Sequence, residues 1–319
     1  MPAIETVRGP VEVAQLGQTL MHEHVFVLSE EIRRNSGNWD EEARVADAVA
    51  KLRALKSRGV DTIVDPTVIG LGRYIPRIAR VNDQVDLHIL VATGLYTFRD
   101  APFYFQRRPP GKNPHDVDPM TAMFVRDIVE GIPGTNVKAA FLKCAIDVHG
   151  MTSDVKRVLR AVARAHVSTG APITVHTRPQ SQTGLAVQAL FREEGVDLAR
   201  VVVGHSGDST DLDYLIALME AGSFIGMDRF GIDTILPFEQ RCATVAELCR
   251  RGYAERMVLA HDASCYIDWF EERTLAKALP RWHLTHIHDD VLPELRSRGV
   301  TDAQIATMLV ENPRRYFTA

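Results

Sequence analysis

The sequence predicts a (β/α)8 barrel, in which eight parallel strands close into a cylinder surrounded by helices, with a small N-terminal hairpin. Eight short apolar segments, rich in β-branched residues, alternate with longer amphipathic segments of helical period. Six of the helical segments are followed directly by glycine, the residue that most often ends a helix in the left-handed conformation. Eight strand–helix units favour the closed barrel. An open doubly wound sheet is the alternative, but no GxGxxG or P-loop motif follows the first strand.

The strands and helices can be assigned in chain order from this pattern. The predicted strands are Thr19–Phe26, Thr62–Pro66, Leu87–Gly94, Ala139–Ile146, Ile173–His176, Val201–His205, Ser223–Asp228 and Met257–His261. The helices that glycine ends are predicted at Asp40–Arg58, Thr152–Thr169, Gln182–Glu194, Asp211–Ala221, Pro237–Arg251 and Pro280–Arg298. A hairpin over Glu5–Gln15, turning around Arg8-Gly9-Pro10, is expected to cap the barrel bottom. Two long connections, Thr97–Pro119 and Ala263–Leu279, are expected to form lids or interface elements.

Length and composition favour a single domain over residues 1–319 that acts on a small molecule. The hydrophobic fraction is 45%, and the net charge is −4. This balance gives no reason to expect a nucleic-acid or membrane partner, and no window of about 18 apolar residues occurs. The four cysteines show no CxxC spacing, so we expect free thiols and a cytoplasmic protein.

Six side chains of the kind that bind metals end the predicted strands. They are His22, His24, Lys143, His176, His205 and Asp262. Each one alone has an ordinary interpretation, such as a buried histidine or a helix-capping aspartate. The carboxyl ends of barrel strands meet at one face, however, so the six are expected to lie together. Two divalent ions about 3.5–4 Å apart would then activate a bridging hydroxide.

The charge of such a site supports a role for the lysine. Two divalent ions, one aspartate and one hydroxide leave a net charge of about +2 beside four neutral histidines. A carboxylated Lys143 would lower this charge and would avoid burying an ammonium group. Asp65, Asp208 and Asp228 are candidate acceptors for the outer ring nitrogens of the histidines. Histidine and carboxylate ligands suit zinc, iron, cobalt and manganese.

Nine motifs in this order resemble the phosphotriesterase-like lactonases of the amidohydrolase superfamily. They are GQTLMHEHV, TIVDPTVIGLGR, ATGLY, FLKCA, VHT, GHSGD, GMDRFGID, LAHD and ENPRRYF. The resemblance implies a binuclear centre in which His22, His24 and Asp262 hold the more buried ion. His176 and His205 would hold the more exposed ion, and N6-carboxylated Lys143 would bridge both. Zinc, or a mixed iron–cobalt pair, is the leading expectation for the metals.

The resemblance also implies the substrate and the residues that contact it. Arg229 stands where true phosphotriesterases carry histidine, and the connection after strand eight is long, as in the lactonases. The implied substrates are N-acyl homoserine lactones or aliphatic lactones, with quorum quenching as one role and weak phosphotriesterase activity beside it. A dedicated organophosphate triester hydrolase is the alternative. Trp269, Phe98 and Ile267 are expected to accept the acyl or alkyl tail.

The expected mechanism uses three side chains beside the metals. Asp262 would act as general base and then general acid, Tyr96 would stabilise the oxyanion, and Arg229 would hold the ester or leaving oxygen. The cluster Phe103-Tyr104-Phe105 and the resemblance favour a homodimer. A mononuclear deaminase is disfavoured by Lys143. A non-catalytic barrel is disfavoured because ligands, Tyr96 and Arg229 are all present.

Three departures from the lactonase pattern are expected to tune substrate range or stability. The run Asp147-Val148-His149-Gly150 follows strand four, where the lactonases usually have an acidic residue and Pro-Gly after the aspartate. Phe98 stands where a tyrosine is common, and Ser264-Cys265 stands where paired cysteines are frequent. None of these positions is an expected metal ligand.

Overall fold

Eight parallel strands form one nearly closed barrel in the computed structural model, which describes residues 2–37, 39–111 and 117–318. The described strands are β1 Ala3–Thr6, β2 Gly9–Glu12, β3 Gln18–Leu20, β4 His24–Val27, β5 Val60–Asp65, β6 His88–Gly94, β7 Phe141–Ala145, β8 Ile173–His176, β9 Val201–Gly204, β10 Phe224–Met227, β11 Met257–Leu259 and β12 Ser264–Ile267. The eight barrel strands are β3 and β5 to β11, and they are neighbours in chain order. The N–H of Met21 donates to the carbonyl of Leu259 at 3.2 Å, which joins the two end strands. The predicted fold class is therefore confirmed.

The first predicted strand, Thr19–Phe26, is interrupted at residues 21–23. Its first part, β3, pairs with β5, whereas β4 pairs in parallel with β12, with His24 opposite Ser264. The strand breaks because the Glu23 carboxylate accepts hydrogen bonds from the residues beside Asp262. His22 therefore lies in a bend between two strands, and the prediction of one continuous strand over Thr19–Phe26 is wrong there.

Helices cover the outside of the barrel and follow most of the predicted bounds. The described α-helices are α1 Glu30–Ser36, α2 Glu41–Lys56, α3 Ile75–Asn82, α4 Phe103–Gln106, α5 Pro119–Val129, α6 Ser153–Thr169, α7 Thr183–Glu193, α8 Leu212–Glu220, α9 Phe238–Arg250, α10 Glu272–Ala278, α11 Leu292–Ser297, α12 Asp302–Ala306 and α13 Asn312–Thr318. The long connection after β6 contains α4, and residues 112–116 of it lie outside the described part. No helix among the described residues is long and apolar enough to cross a membrane.

The last predicted glycine-ended helix, Pro280–Arg298, begins later than expected. Its helical part starts with a π-helical turn at Ile287–Val291 and continues as α11. The indole nitrogen of Trp282 donates to the carbonyl of His261 at 2.9 Å. The N–H of Ile287 donates to Nε2 of His261 at 2.8 Å. These contacts hold residues 280–286 against the end of β11, so the chain cannot enter the helix earlier.

The hairpin of β1 and β2 lies at the amino ends of the barrel strands, as predicted. It turns at Val7 and Arg8, and the N–H of Val7 donates to the carbonyl of Ile89 in β6 at 2.9 Å. Apolar side chains fill the barrel interior, and Tyr316 and Phe317 of α13 pack against the same cluster. This end is therefore closed, whereas the carboxyl ends of the strands open into a cavity.

Candidate metal centre

The six predicted metal ligands all line one cavity of about 430 Å³ at the carboxyl ends of the strands. His22 lies in the strand break and His24 in β4. Lys143 lies in β7 and His176 in β8, while His205 and Asp262 follow β9 and β11. Lys143 is only 1% exposed, and the four histidines are at most 5% exposed. The fold therefore brings together side chains that are separated by up to 240 positions in the sequence.

The ligand atoms form two neighbouring groups. In the first group, Nε2 of His22 and Nε2 of His24 lie 3.3 Å and 3.2 Å from Oδ1 of Asp262. In the second group, Nε2 of His205 lies 2.7 Å from Nδ1 of His176. Nζ of Lys143 lies 3.4 Å from Nε2 of His22, on the first group.

The second group has the chemistry of a cation site. Nδ1 of His205 lies 2.9 Å from an oxygen of Asp228, and Nε2 of His176 contacts Asp147. Carboxylates accept hydrogen bonds, so each outer nitrogen carries the ring hydrogen and each inner nitrogen keeps a lone pair. Two lone pairs facing each other at 2.7 Å cannot hydrogen-bond. A shared divalent ion would satisfy both nitrogens, so the residues present fit a metal.

The first group is arranged in the same way. Nδ1 of His24 lies 2.7 Å from the hydroxyl of Thr67, which in turn donates to Asp65. Burial lowers the pKa of His24, but the carboxylates of Asp262 and Asp65 outweigh it and raise the pKa to about 9. A proton therefore occupies Nε2 of His24 in the metal-free protein, and a metal ion must displace it.

The Asp228 carboxylate contacts two of the histidines. Its Oδ1 faces Nδ1 of His205, its Oδ2 accepts from the backbone N–H of His205 at 3.0 Å, and Oδ2 also lies 3.4 Å from Nδ1 of His22. Burial raises the pKa of the Asp228 carboxyl, but the two histidines hold it well below its usual range. The carboxylate therefore orients His205 by hydrogen bonds and lies within ion-pair distance of His22, whose Nδ1 forms no hydrogen bond with the described residues.

Asp208 has a different role from the predicted one. It accepts from Nη1 of Arg229 at 3.0 Å and from Nη2 of Arg241 at 2.7 Å, so it orients an arginine rather than a histidine ligand. Nε of Arg229 donates to Oδ2 of Asp262 at 3.0 Å. Burial raises the pKa of Asp262, but His22 and His205, followed by Arg229, hold it well below its usual range.

Backbone strain is concentrated at this site. His205, Arg229 and Asp262 have φ values of 61°, 64° and 53°, in the left-handed region that non-glycine residues seldom adopt. Among the described residues, Gln182 is the other non-glycine residue with positive φ. Such conformations cost about 1–3 kcal/mol each and persist where function requires a side chain to point in an unusual direction.

The predicted substrate residues take two positions. Tyr96, Arg229, Ile267 and Trp269 line the cavity, and the hydroxyl of Tyr96 lies 3.4 Å from Nδ1 of His176. Phe98 does not line the cavity. Its ring packs at 5.1 Å from the His176 ring and 5.0 Å from the Tyr96 ring, measured between centroids. Phe98 therefore supports two residues of the site from behind.

Sequence reasoning missed two carboxylates and much of the cavity wall. Asp147, for which the sequence predicts only an effect on substrate range or stability, contacts the outer nitrogen of His176. Glu23 is fully buried and connects the His22–His24 segment to the residues that flank Asp262. A charged residue inside an apolar run was the available signal for Glu23. The wall residues that were missed include Ile232, Ile235, Phe270, Leu275 and Trp282.

A parallel barrel with histidines, an aspartate and a buried lysine at its carboxyl face defines a class of protein, the metal-dependent hydrolases. The model of the phosphotriesterase family matches residues 2–317, and the chain belongs to that family. Enzymes of this family use a binuclear divalent metal centre, and His22, His205 and Asp262, whose ligand atoms lie within 4.8 Å of one another, fit such a centre. The resemblance found in the sequence is therefore confirmed at the level of the family.

Known relatives agree over almost the whole length. The chain is 40% identical to an aryldialkylphosphatase from Saccharolobus solfataricus, over 98% of each chain. It matches the structure of the phosphotriesterase from Mycobacterium tuberculosis with 57% identity and a TM-score of 0.97, over 99% and 98% of the two chains. A structure described as "molecular engineering of organophosphate hydrolysis activity from a weak promiscuous lactonase template" matches with 34% identity and a TM-score of 0.90, over 99% and 100%.

Proposed function

We propose that the chain is a lactonase that hydrolyses N-acyl homoserine lactones, aliphatic lactones or both, with weak phosphotriesterase activity. The observation that carries this proposal is the position of Arg229 in the cavity. Its guanidinium is held between Asp262 and Asp208 and adjoins the candidate metal ligands. A hydrogen-bond donor there suits the ring oxygen of a lactone, which becomes negatively charged as the ring opens.

The shape and lining of the cavity support an acylated or alkylated substrate. A volume of about 430 Å³ lies within the range of small-molecule sites. Beyond the polar floor the wall is largely apolar, and its apolar members include Val27, Leu71, Ile232, Ile235, Ile267, Trp269, Phe270 and Leu275. Each CH₂ group buried there would contribute roughly 0.8 kcal/mol, so a tail adds affinity without altering the reacting ring.

The proposed metal ligands are His22, His24 and Asp262 for one ion and His176 and His205 for the other, with Lys143 between them. Two divalent ions would supply Lewis acidity and would lower the pKa of a water molecule. Zinc or a mixed iron–cobalt pair is part of the proposal.

Lys143 is proposed to be carboxylated. Burial lowers its pKa to about 8, although Asp262 and Asp228 oppose the shift. About a tenth of the lysine is therefore the neutral amine near pH 7, and this form can attack CO₂. The new N–C bond forms, the nitrogen loses one proton, and the product is an anionic carbamate with two oxygen ligands.

The remaining side chains are proposed to move charge and protons. Burial raises the pKa of Tyr96 well above its ordinary value, so its hydroxyl stays protonated and can donate to the carbonyl oxygen as negative charge develops. Asp262 is ionised, so it can accept the proton of the attacking water and return it to the leaving alkoxide. Arg229 can then stabilise that alkoxide.

The proposal also covers the oligomeric state and the domain organisation of the chain. The side chains of Phe103 and Tyr104 are 73% and 58% exposed, which supports the predicted homodimer. Residues 1–319 are proposed to act as one catalytic domain, and a lactone that carries an acyl signal would make quorum quenching one biological role.

The test is a set of initial rates on metal-replete protein with a pH indicator. The panel contains N-acyl homoserine lactones of several acyl lengths, simple γ- and δ-lactones, and one phosphotriester. We expect a lactone to exceed the phosphotriester in kcat/KM by at least about a hundredfold, which corresponds to roughly 2.7 kcal/mol. The opposite ranking would identify a dedicated organophosphate triester hydrolase, the activity that the name of the Saccharolobus relative suggests.

A cavity variant separates the roles of the ring and the tail. Trp269 lines the cavity and is 45% exposed, so Trp269→Ala should leave the fold intact. We expect a higher KM for long-chain lactones and little change for a short γ-lactone, because only the tail contact is removed. Ile32→Ala is the control, since Ile32 is an exposed apolar residue that does not line the cavity.

A further inference from the structure

A second group of metal-binding side chains lies outside the cavity, next to the π-helical turn Ile287–Val291. One ring nitrogen each of His283 and His286 and one carboxylate oxygen of Asp290 lie within 4.8 Å of one another. The residues are three and four positions apart, which places them on one side of a helical turn. None of the three lines the cavity of the candidate metal centre.

The hydrogen bonding of His286 leaves one ring nitrogen unsatisfied. Its side chain is fully buried, and Nδ1 lies 2.7 Å from Oδ2 of Asp290. Among the described residues, no group is within hydrogen-bonding distance of Nε2. A buried polar atom without a partner destabilises the fold, so the present arrangement is incomplete for the histidine.

The neighbouring Asp233 has a complementary defect. Its Oδ2 pairs with Arg281 at 3.2 Å, whereas its Oδ1 is buried and has no partner in the described part of the chain. Burial lowers the pKa of His286, and the carboxylate of Asp290, followed by that of Asp233, opposes the shift. If a cation occupied Nδ1, the ring hydrogen would move to Nε2. Asp233 would have to turn toward the ring to accept it, because the two side chains form no direct hydrogen bond in this structure. Histidines that bind metals commonly donate their other N–H to a carboxylate in this way.

We propose that His283, His286 and Asp290 form a third metal site, separate from the cavity, for a divalent cation such as Zn²⁺. Two imidazole nitrogens and one carboxylate oxygen form the donor set of a tetrahedral zinc site with one open position. Asp290 is 53% exposed, so an ion can enter from solvent.

The bound ion would stabilise two segments of the cavity wall. Trp282 precedes the site directly and lines the cavity, and Asp233 follows the cavity residue Ile232. An ion held by His283, His286 and Asp290, with Asp233 turned toward the His286 ring to accept its hydrogen, would connect these segments. We expect the bound ion to raise the Tm of the protein and to add no new reaction.

The test compares metal content at equilibrium. Full-length protein is dialysed against a series of buffered Zn²⁺ concentrations, and bound zinc per chain is measured by mass spectrometry. The test variant is His283→Ala/Asp290→Asn, which changes the two exposed members. The control is His149→Ala, which removes an exposed histidine elsewhere on the surface.

The expected result is that the double variant binds one zinc ion fewer per chain than the wild type, while His149→Ala binds the same number. Zinc above the concentration that saturates the other sites should also raise the Tm of the wild type, and this rise should be absent in the double variant. Equal stoichiometry in the wild type and the double variant would overturn the proposal, as would an equal loss in His149→Ala. Asp290→Asn alone serves as a second variant with the same criteria if the double variant does not fold.

Discussion

Glu23 offers the sharpest test of how the candidate metal centre is held in place. It lies between His22 and His24, yet its carboxylate points away from the cavity. Oε1 accepts from the backbone N–H and from Nδ1 of His261 at 2.8 Å and 2.7 Å, and Oε2 accepts from the N–H of Ala263 at 3.2 Å. His261 and Ala263 flank Asp262, so one buried side chain positions ligands from both ends of the barrel sequence.

The substitution Glu23→Gln preserves size and removes one acceptor. Nε2 of His261 accepts from the N–H of Ile287 at 2.8 Å, so Nδ1 must carry the ring hydrogen and cannot become an acceptor. In either orientation, the glutamine NH₂ therefore faces at least one N–H group. A hydrogen bond is lost and a buried donor is left unpaired, at a cost of about 1–3 kcal/mol in the free energy of unfolding.

The effect on metal binding should be comparable in free energy to the effect on the fold. Outer partners of metal sites typically contribute about 10–100-fold in metal affinity, and Glu23 acts on His22, His24 and Asp262 together. We expect the zinc affinity of Glu23→Gln to fall by roughly that factor, measured by competition with a chromophoric chelator. Urea unfolding of the metal-free proteins reports the change in stability.

The control for this experiment is Glu31→Gln, an exposed glutamate that hydrogen-bonds through its backbone carbonyl rather than its side chain. It should behave as the wild type in both measurements. If Glu23→Gln matched Glu31→Gln in zinc affinity and in urea midpoint, the argument that Glu23 positions the ligands would be refuted.

Three further predictions follow from the same geometry. Lys143→Ala should reduce bound metal from two ions per chain to one or none, and two tightly bound ions with full activity would contradict the proposed ligand set. In the metal-free protein His24 has a pKa of about 9, above the value of 6.5 for an unperturbed histidine. The protonated His24 therefore stabilises the fold fully below about pH 6.5, and this stabilisation is lost as the pH rises through 9. The same proton competes with metal, so zinc affinity should rise about tenfold per pH unit up to pH 9; a flat profile between pH 7 and 9 would exclude this competition. Gly94→Ala should destabilise the barrel by about 2–6 kcal/mol, since Gly94 has φ +146° and an added Cβ would overlap the carbonyl oxygen of Lys143; an unchanged Tm would refute the close approach.

Most of the barrel could be predicted because its signals are local. Apolar runs of four to seven residues mark strands covered on both faces, and glycine marks the end of helices such as α6, where Gly170 has φ 72°. Helix α3 was missed because it has only eight residues and is not followed by glycine, the signal by which the other helices were assigned. The start of the last predicted helix was placed too early, because the contacts of Trp282 and Ile287 with His261 are not visible in the sequence.

The sequence by itself determined which residues could form the metal site. The strand ends of a parallel barrel share one face, so a histidine, lysine or aspartate at the end of an apolar run is placed there by topology. Tertiary structure alone decided which partners fix those ligands. Asp147 binds His176 while Asp208 binds Arg229, because side-chain direction depends on left-handed turns at residues such as Arg229. It also decided the break between β3 and β4, since the carboxylate of Glu23 is stabilised there by N–H groups more than 230 residues away. Local pattern therefore specifies the ligands, and long-range hydrogen bonds specify their geometry.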